Sequence, residues 1–389
     1  MGNLLKLAVV IGFFLQFNHT AQASTSDFFY ENATDSPVIK FLQVAKTSID
    51  IEIYEIQDTR VQSIILKAMD QGVKVRVIQE SEAVGSNCPV FESANSEDAV
   101  ECSGQKNFIQ KVQSKGGTYV PFAYQQFCGG GQFRCLEHGK IILVDNKFSL
   151  ISTGNFNATN LCDLPGSPSG SLSTCNRDYS VVSTDPIVIA TLSAVFNSDL
   201  KGKSYDLASL LRSQGAQKIT ISPLSLNPIL QFIGSAKKSI LIQNQYLKNA
   251  DMNAALIAAA KRGVKVFVVV SSACAFGRPD PSKDASAIDQ WKNTYTAFDN
   301  VGIKSRIFTK QIKVNGYPGY LHAKAIVVDG SRAWVGSVNG STQALTENRE
   351  YGIFISDTAQ ATKLVNFIVS DFNHPNSESW QESLVCKKD

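Results

Sequence analysis

Two stretches of this 389-residue chain carry the same reactive residues at the same spacing. The first holds His138, Lys140, Asp145, Thr153 and Asn155; the second holds His322, Lys324, Asp329, Ser337 and Asn339. In both, Lys follows His by two residues, Asp follows Lys by five, and Asn follows Asp by ten. A neutral imidazole can attack an electrophilic centre, and a protonated one can donate to a leaving oxygen. Lysine ammonium and asparagine amide groups can hold the non-bridging oxygens of a phosphodiester and stabilise the charge that grows on them. One copy of the pattern supplies one histidine, and two copies supply both roles.

A second matched element follows each copy, Asn176-Arg177-Asp178-Tyr179 and Asn348-Arg349-Glu350-Tyr351. A carboxylate beside an imidazole fixes its tautomer and steadies its cationic form, so Asp178 and Glu350 are candidate partners of the histidines. The competing reading makes them ion-pair partners of the adjacent arginines. Asp145 and Asp329, next to Asn146 and Gly330, read as hairpin turns with a structural part to play. Of the other two histidines, His19 lies in the N-terminal leader and His374 sits beside Pro375 with no matched partner.

Residues two apart in a strand share a face, so each His–Lys pair projects together. Behind each pair runs an apolar segment, Ile141–Val144 and Ala325–Val328, and return strands over Phe148–Ser152 and Ala333–Val335 bring the asparagines back. The repeat is wider than the motifs. Ala45–Ile51 resembles Ala236–Ile242, and Gly72–Val77 resembles Gly263–Val268, both offset by 191 residues. Each half alternates helix and strand, which predicts an α/β fold with helices covering a sheet. The expected division is a signal peptide over 1–23, an N-terminal lobe over 24–205 and a C-terminal lobe over 206–389. Insertions beside the motifs, Glu80–Val120, Asp163–Cys175 and Ser271–Asn300, are placed to shape access.

Lys6, the apolar run Leu7–Phe17 and Ala21-Gln22-Ala23 form a secretory signal with cleavage after Ala23, which predicts a secreted or periplasmic protein. An uncleaved anchor is the alternative, but eleven apolar residues are too few to span a bilayer, and no later segment is long enough to be transmembrane. Eight cysteines in an exported chain point to disulfides. Local bridges Cys88–Cys102, Cys128–Cys135 and Cys162–Cys175 are expected, leaving Cys274 and Cys386 to pair. A zinc site competes with this reading, but there is no CxxC. The net charge of +3, without a dense basic run, leans away from a long polyanion as substrate.

The two HxKxxxxD patterns with their trailing asparagines resemble the phospholipase D superfamily over nearly the whole mature chain. Thr153-Gly154-Asn155-Phe156-Asn157 with a later Asn-Arg-Asp is similar to its bacterial phospholipase D-like and cardiolipin synthase-like branch. Ser152-Thr153 departs from the usual Gly-Ser, while Asn155 is intact. The resemblance implies two pseudo-two-fold-related α/β/α sandwich lobes with one active site at their interface. It also implies a phosphohistidine intermediate, with no metal and no cofactor. By analogy His138 attacks and His322 protonates the leaving group, although the roles could be reversed. Lys140, Lys324, Asn155 and Asn339 would bind phosphate with Thr153 and Ser337 in support. The expected activity is a secreted, monomeric phospholipase D hydrolysing phospholipid at a membrane or micelle surface. A nuclease acting on nucleic acid, a phosphatidyl transferase and a non-catalytic binding scaffold are the alternatives.

Overall fold

The chain folds into two large sheets, each carrying one copy of the motif. In the computed structural model, residues 26–384 are described, apart from 33–35, 85–86, 124–134, 162–175, 273–284, 309–312, 315–316, 319 and 376. The signal peptide, Ala33 and Thr34 of the Asn32-Ala33-Thr34 glycosylation sequon, and Cys128, Cys162, Cys175, Cys274 and Cys386 therefore lie outside the described residues.

The first lobe contains β1 (Asp27–Glu31), β2 (Ser48–Ile53), β3 (Lys74–Gln79), β4 (Thr118–Pro121), β5 (Lys140–Val144), β6 (Phe148–Ser152) and β7 (Tyr179–Ser183). Their order in the sheet is β1-β7-β6-β5-β2-β3-β4. Strands β2, β3 and β4 are parallel and joined through the helices Thr59–Asp70 and Val100–Ser114; β5, β6, β7 and β1 run antiparallel. The second lobe contains β8 (Ile219–Ile221), β9 (Ser239–Asn244), β10 (Lys265–Ser271), β11 (Lys304–Phe308), a separate hairpin of β12 (Lys313–Val314) and β13 (Tyr317–Pro318), β14 (Ala325–Val328), β15 (Arg332–Gly336), β16 (Tyr351–Ile355) and β17 (Ser377–Glu378). Its sheet runs β17-β11-β10-β9-β14-β15-β16-β8. The parallel trio β9-β10-β11 and the hairpin β14-β15 repeat the plan of β2-β3-β4 and β5-β6.

The apolar alternation explains how the sheets stack. Ile141 and Leu143 of β5 pack in one core with Ala325 and Val327 of β14, so the inner faces of the two sheets share a hydrophobic layer. The intervening residues, Ile142 and Val144, face the outer core of the first lobe, and Ile326 and Val328 face that of the second. Strands buried on both faces read as continuous apolar runs, as these do. The helices Pro186–Asp199 and Thr358–Phe372 contribute Val188, Leu192, Phe196, Leu364 and Ile368 to the shared layer. The lobes are thus two halves of one buried structure.

The motif aspartates hold the turns of the two hairpins. Asp145 and Asn146 adopt φ of 55° and 51°, and Asp329 and Gly330 adopt 55° and 71°. Asn and Asp tolerate this left-handed region better than other non-glycine residues. The Asp145 carboxylate accepts the N–H groups of Thr47 at 2.7 Å and Ser48 at 2.9 Å, while Asp329 accepts those of Lys238 at 2.7 Å and Lys237 at 3.0 Å. Each hairpin is pinned to the start of the neighbouring parallel strand. The expected Cys88–Cys102 bridge is present, with Cα atoms 5.6 Å apart. Cys135 is also disulfide-bonded. No helix among the described residues is long and apolar enough to cross a membrane.

Candidate active site

Each histidine stands just before its strand, where the main chain pairs with the opposite lobe. His138 donates its backbone N–H to the Arg349 carbonyl at 2.9 Å, and Arg349 donates to the Leu136 carbonyl at 2.9 Å. On the other side His322 donates to the Arg177 carbonyl at 3.1 Å, and Arg177 donates to the Tyr320 carbonyl at 2.9 Å. Two short cross-lobe ladders therefore bring each motif histidine against the other lobe's Asn-Arg-acid element.

The side chains exchange in the same sense. His138 Nδ1 lies 2.9 Å from both Glu350 carboxylate oxygens, and His322 Nδ1 lies 2.9 Å from Asp178 Oδ1. Each histidine takes its carboxylate partner from the opposite lobe. The arginines beside these acids do not pair with them, so the competing ion-pair reading gives way. Arg177 forms a bidentate pair with Asp371 at 2.9 Å through both nitrogens, and Arg349 does the same with Asp199 at 2.8 and 3.0 Å. These pairs also cross between lobes. Removing one member of such a buried pair leaves an uncompensated charge, which costs about 3–5 kcal/mol.

The two histidine–carboxylate pairs differ in their support. Asp178 receives the Thr153 hydroxyl at 2.6 Å and the Asn160 amide at 2.5 Å, and Thr153 in turn accepts the Tyr179 N–H at 2.9 Å. Burial pushes the Asp178 carboxyl up, but His322, Lys324 and the Thr153 hydroxyl together outweigh it and hold the group below the usual carboxylate range. Glu350 receives the Asn348 amide at 3.2 Å and contact from the Ser337 hydroxyl. Burial dominates there and pushes it up to about 7, against the opposing effects of Lys140, Ser337, Asn348 and Lys324. Thr153 and Ser337 thus support carboxylates rather than reaching toward a phosphate.

Both imidazoles are held neutral. Burial, reinforced by Lys140 and Lys324, places His138 well below the ordinary imidazole value. Burial and Lys324 bring His322 to about 4 even though Asp178 opposes them. Lys140 and Lys324 are fully buried, and burial lowers them to about 8 and about 7. Lys140 Nζ donates to the His138 carbonyl at 2.5 Å, and Lys324 Nζ donates to the His322 carbonyl and to the Thr153 carbonyl of the other lobe at 3.3 Å. An ammonium has three donors, so each retains capacity for an anion. Each imidazole is lowered by both lysines, one of them from the opposite lobe.

The asparagines do not behave alike. Asn155 Nδ2 donates to Glu55 at 3.2 Å, a commitment the sequence did not suggest, and Glu55 also receives Asn157 at 3.1 Å and Gln57 at 2.7 Å. An amide has two N–H donors, so Asn155 keeps one while the other is held by Glu55. In the second lobe Tyr246 occupies the position 191 residues beyond Glu55, so the acid beside Asn155 is not repeated at that place. Aromatic rings pack against both imidazoles, Tyr54 at 4.9 Å from His138 and Tyr320 at 5.5 Å from His322. Asn160, Glu55, Tyr54 and Tyr320 were missed by sequence reasoning. Asn348 could have been found as part of the matched element Asn-Arg-acid-Tyr.

The family described as cardiolipin synthase, PLD-like domain, matches residues 38–200 and 229–372. The cardiolipin synthase of Halalkalibacterium halodurans is 24% identical over 363 residues, covering 88% of this chain and 64% of that protein. A cardiolipin synthase of Clostridium perfringens is 25% identical over 361 residues, covering 85% of this chain and 67% of that protein. The chain spans less than two thirds of the length of the first of the curated relatives it matches. The crystal structure of phosphatidylserine synthase from Haemophilus influenzae shares the fold, with a TM-score of 0.61, 13% identity and coverage of 92% of this chain and 88% of that one. The cardiolipin synthases among these are named as synthases, which are phosphatidyl transferases, and they overturn the expectation of a hydrolytic phospholipase D. They lend no support to nucleic acid as substrate. With a family match over most of its length, two intact motifs and the two-lobe architecture, this chain belongs to the phospholipase D superfamily of enzymes, in the family of cardiolipin synthase, PLD-like domains.

Proposed function

We infer that the chain transfers a phosphatidyl group from one alcohol to another through a phosphohistidine. The observation that carries this reading is the pair of cross-lobe histidine–carboxylate contacts around two buried lysines, joined to the synthase names of the relatives.

His138 is the nucleophile in this scheme. It is neutral and pairs with Glu350, a carboxyl that burial keeps from holding a full negative charge above the ordinary range. His322 faces Asp178, which stays ionised and can stabilise an imidazolium as it forms. The charge of the bound phosphodiester, added to that of Asp178, favours the imidazolium form of His322. His138 then attacks phosphorus, the P–O bond to the first alcohol breaks, and the His322 imidazolium gives its proton to that oxygen and becomes neutral. A second alcohol then gives its proton to His322 and attacks phosphorus, releasing His138. Lys140 and Lys324 offset the non-bridging charge, and a bound phosphodiester would in turn favour their protonated forms. Water competes with the second alcohol, so transfer requires that the acceptor outcompete it.

The relatives' name suggests an acceptor that is itself a lipid, since cardiolipin carries two phosphatidyl groups on one glycerol. Vesicles of a phospholipid with a labelled phosphatidyl group and a glycerol headgroup test this directly. The expected major product is the diphosphatidyl lipid, with free glycerol released in equal amount. Phosphatidic acid as the sole lipid product, unchanged when more acceptor is added, would count against transfer.

A further inference from the structure

Two buried acids, Glu52 and Glu137, stand in the first lobe where the matching positions of the second lobe hold an amide and a hydrocarbon. Glu52 and Glu137 are fully buried beside Arg349, and the charge of Glu137 bears on the Glu52 carboxyl. Both oxygens of Glu52 and Oε2 of Glu137 lack any donor within hydrogen-bonding distance, the Arg349 guanidinium standing 4.0 Å from Glu52 Oε1. Two like charges in one dry site cannot both be retained cheaply.

The internal repeat supplies an independent comparison. The position 191 residues beyond Glu52 is Gln243. There the neutral amide satisfies its surroundings, with Nε2 donating to Asp371 at 2.7 Å and Oε1 accepting the Tyr179 hydroxyl at 2.5 Å. The residue before His322, at the position of Glu137, is the buried Leu321. The second lobe thus achieves the same packing with an amide and a hydrocarbon. The first lobe uses two acids, one of which must imitate the neutral amide.

Glu137 also grips the catalytic segment. Its Oε1 accepts the Gly139 N–H at 2.7 Å, immediately after His138, and a Cβ on Gly139 would come within 2.6 Å of that oxygen and of the Tyr351 ring. Its backbone pairs with Arg349, next to Glu350, which orients the His138 ring.

We propose that Glu52 and Glu137 share a single proton, and that this acid–carboxylate pair is a positioning device for His138. The groups facing the pair are Asp199, Arg349, Tyr205, Tyr351 and Lys140, with Glu80 accepting the Glu137 backbone N–H at 2.9 Å. Burial, the mutual repulsion of the two acids and Asp199 raise Glu52, against Arg349, and burial raises Glu137. A carboxyl raised in this way stabilises the fold below its ordinary value and loses that contribution as pH rises through its folded value.

Thermal unfolding of the full chain between about pH 5 and about pH 9 tests the shared proton. Glu52→Gln and Glu137→Gln each replace it with a permanent amide proton. The wild-type midpoint should fall more steeply with pH than that of either variant, by several degrees over the range. Slopes parallel to wild type in the folded variants would overturn the proposal, and either variant alone suffices if the other does not fold. The positioning role rests on the phosphatidyl-transfer reading and has its own measurement. Glu137→Ala should lower kcat about tenfold to a hundredfold with little change in KM, and Glu137→Gln should recover most of the loss. An unaltered kcat in Glu137→Ala would overturn positioning while leaving the unfolding result to stand separately.

Discussion

His138→Ala and His322→Ala are each expected to lower turnover by about 10⁴-fold or more, with the fold intact. Neither histidine can replace the other. Each is aimed by a carboxylate from the opposite lobe, and each is backed by its own Asn-Arg ladder. Losing His138 removes the atom that would carry the phosphatidyl group; losing His322 strands the leaving oxygen without a proton. Effects of residues that work as a unit do not add, so the double variant should be no worse than the weaker single one by more than a small factor. Steady-state assay of the three variants on labelled phospholipid, with circular dichroism to check folding, gives the answer. A single variant keeping near-wild-type turnover would show that the two histidines do not serve one reaction.

The second large effect concerns Asp178. Its two oxygens meet three donors, namely His322 Nδ1, the Thr153 hydroxyl and the Asn160 amide. The Thr153 oxygen also accepts the Tyr179 N–H, which holds the hydroxyl beside Asp178. Asp178→Asn puts an NH₂ in place of one of the carboxylate oxygens that these three donors address. If the NH₂ faces His322, it forces the imidazole into the tautomer that cannot accept a proton at the reacting nitrogen. The expected loss in kcat is about 10²- to 10⁴-fold with KM little changed. Glu350→Gln should cost less, about tenfold, because that carboxyl is pushed up to about 7 by burial and carries less charge to lose. Comparing kcat for the two variants on one substrate decides the point, and a Glu350→Gln loss equal to or larger than that of Asp178→Asn would contradict the unequal roles of the two histidines.

Much of the site was legible in the sequence because the repeat keeps the same spacing around both motifs. The two His–Lys pairs, the turn aspartates and the matched acidic residues could all be placed before any fold was known. The acids could not be assigned to particular histidines. Linear spacing ties Asp178 to His138 and Glu350 to His322, whereas the pseudo-two-fold packing swaps them. Only the meeting of the two sheets fixes that exchange. The part played by Arg177 and Arg349 was hidden for the same reason, since their partners Asp371 and Asp199 lie in the helices that close the opposite lobe. The differences between lobes were present in the alignment of the halves, as Glu52 against Gln243 and Glu55 against Tyr246, but an isolated substitution of this kind has no meaning until its burial is seen. The hydrolytic reading failed for another reason. Water and alcohol resolve the same intermediate, and no motif residue distinguishes them.

Two imidazoles acting in turn on one phosphorus atom leave a stereochemical record at that atom. It is read most directly with a phospholipid made chiral at phosphorus by isotopic or sulfur substitution. Two successive in-line displacements, one forming the phosphohistidine and one resolving it, predict net retention in the transferred product. Net inversion would mean a single direct displacement, with no covalent intermediate on His138, and would contradict the account.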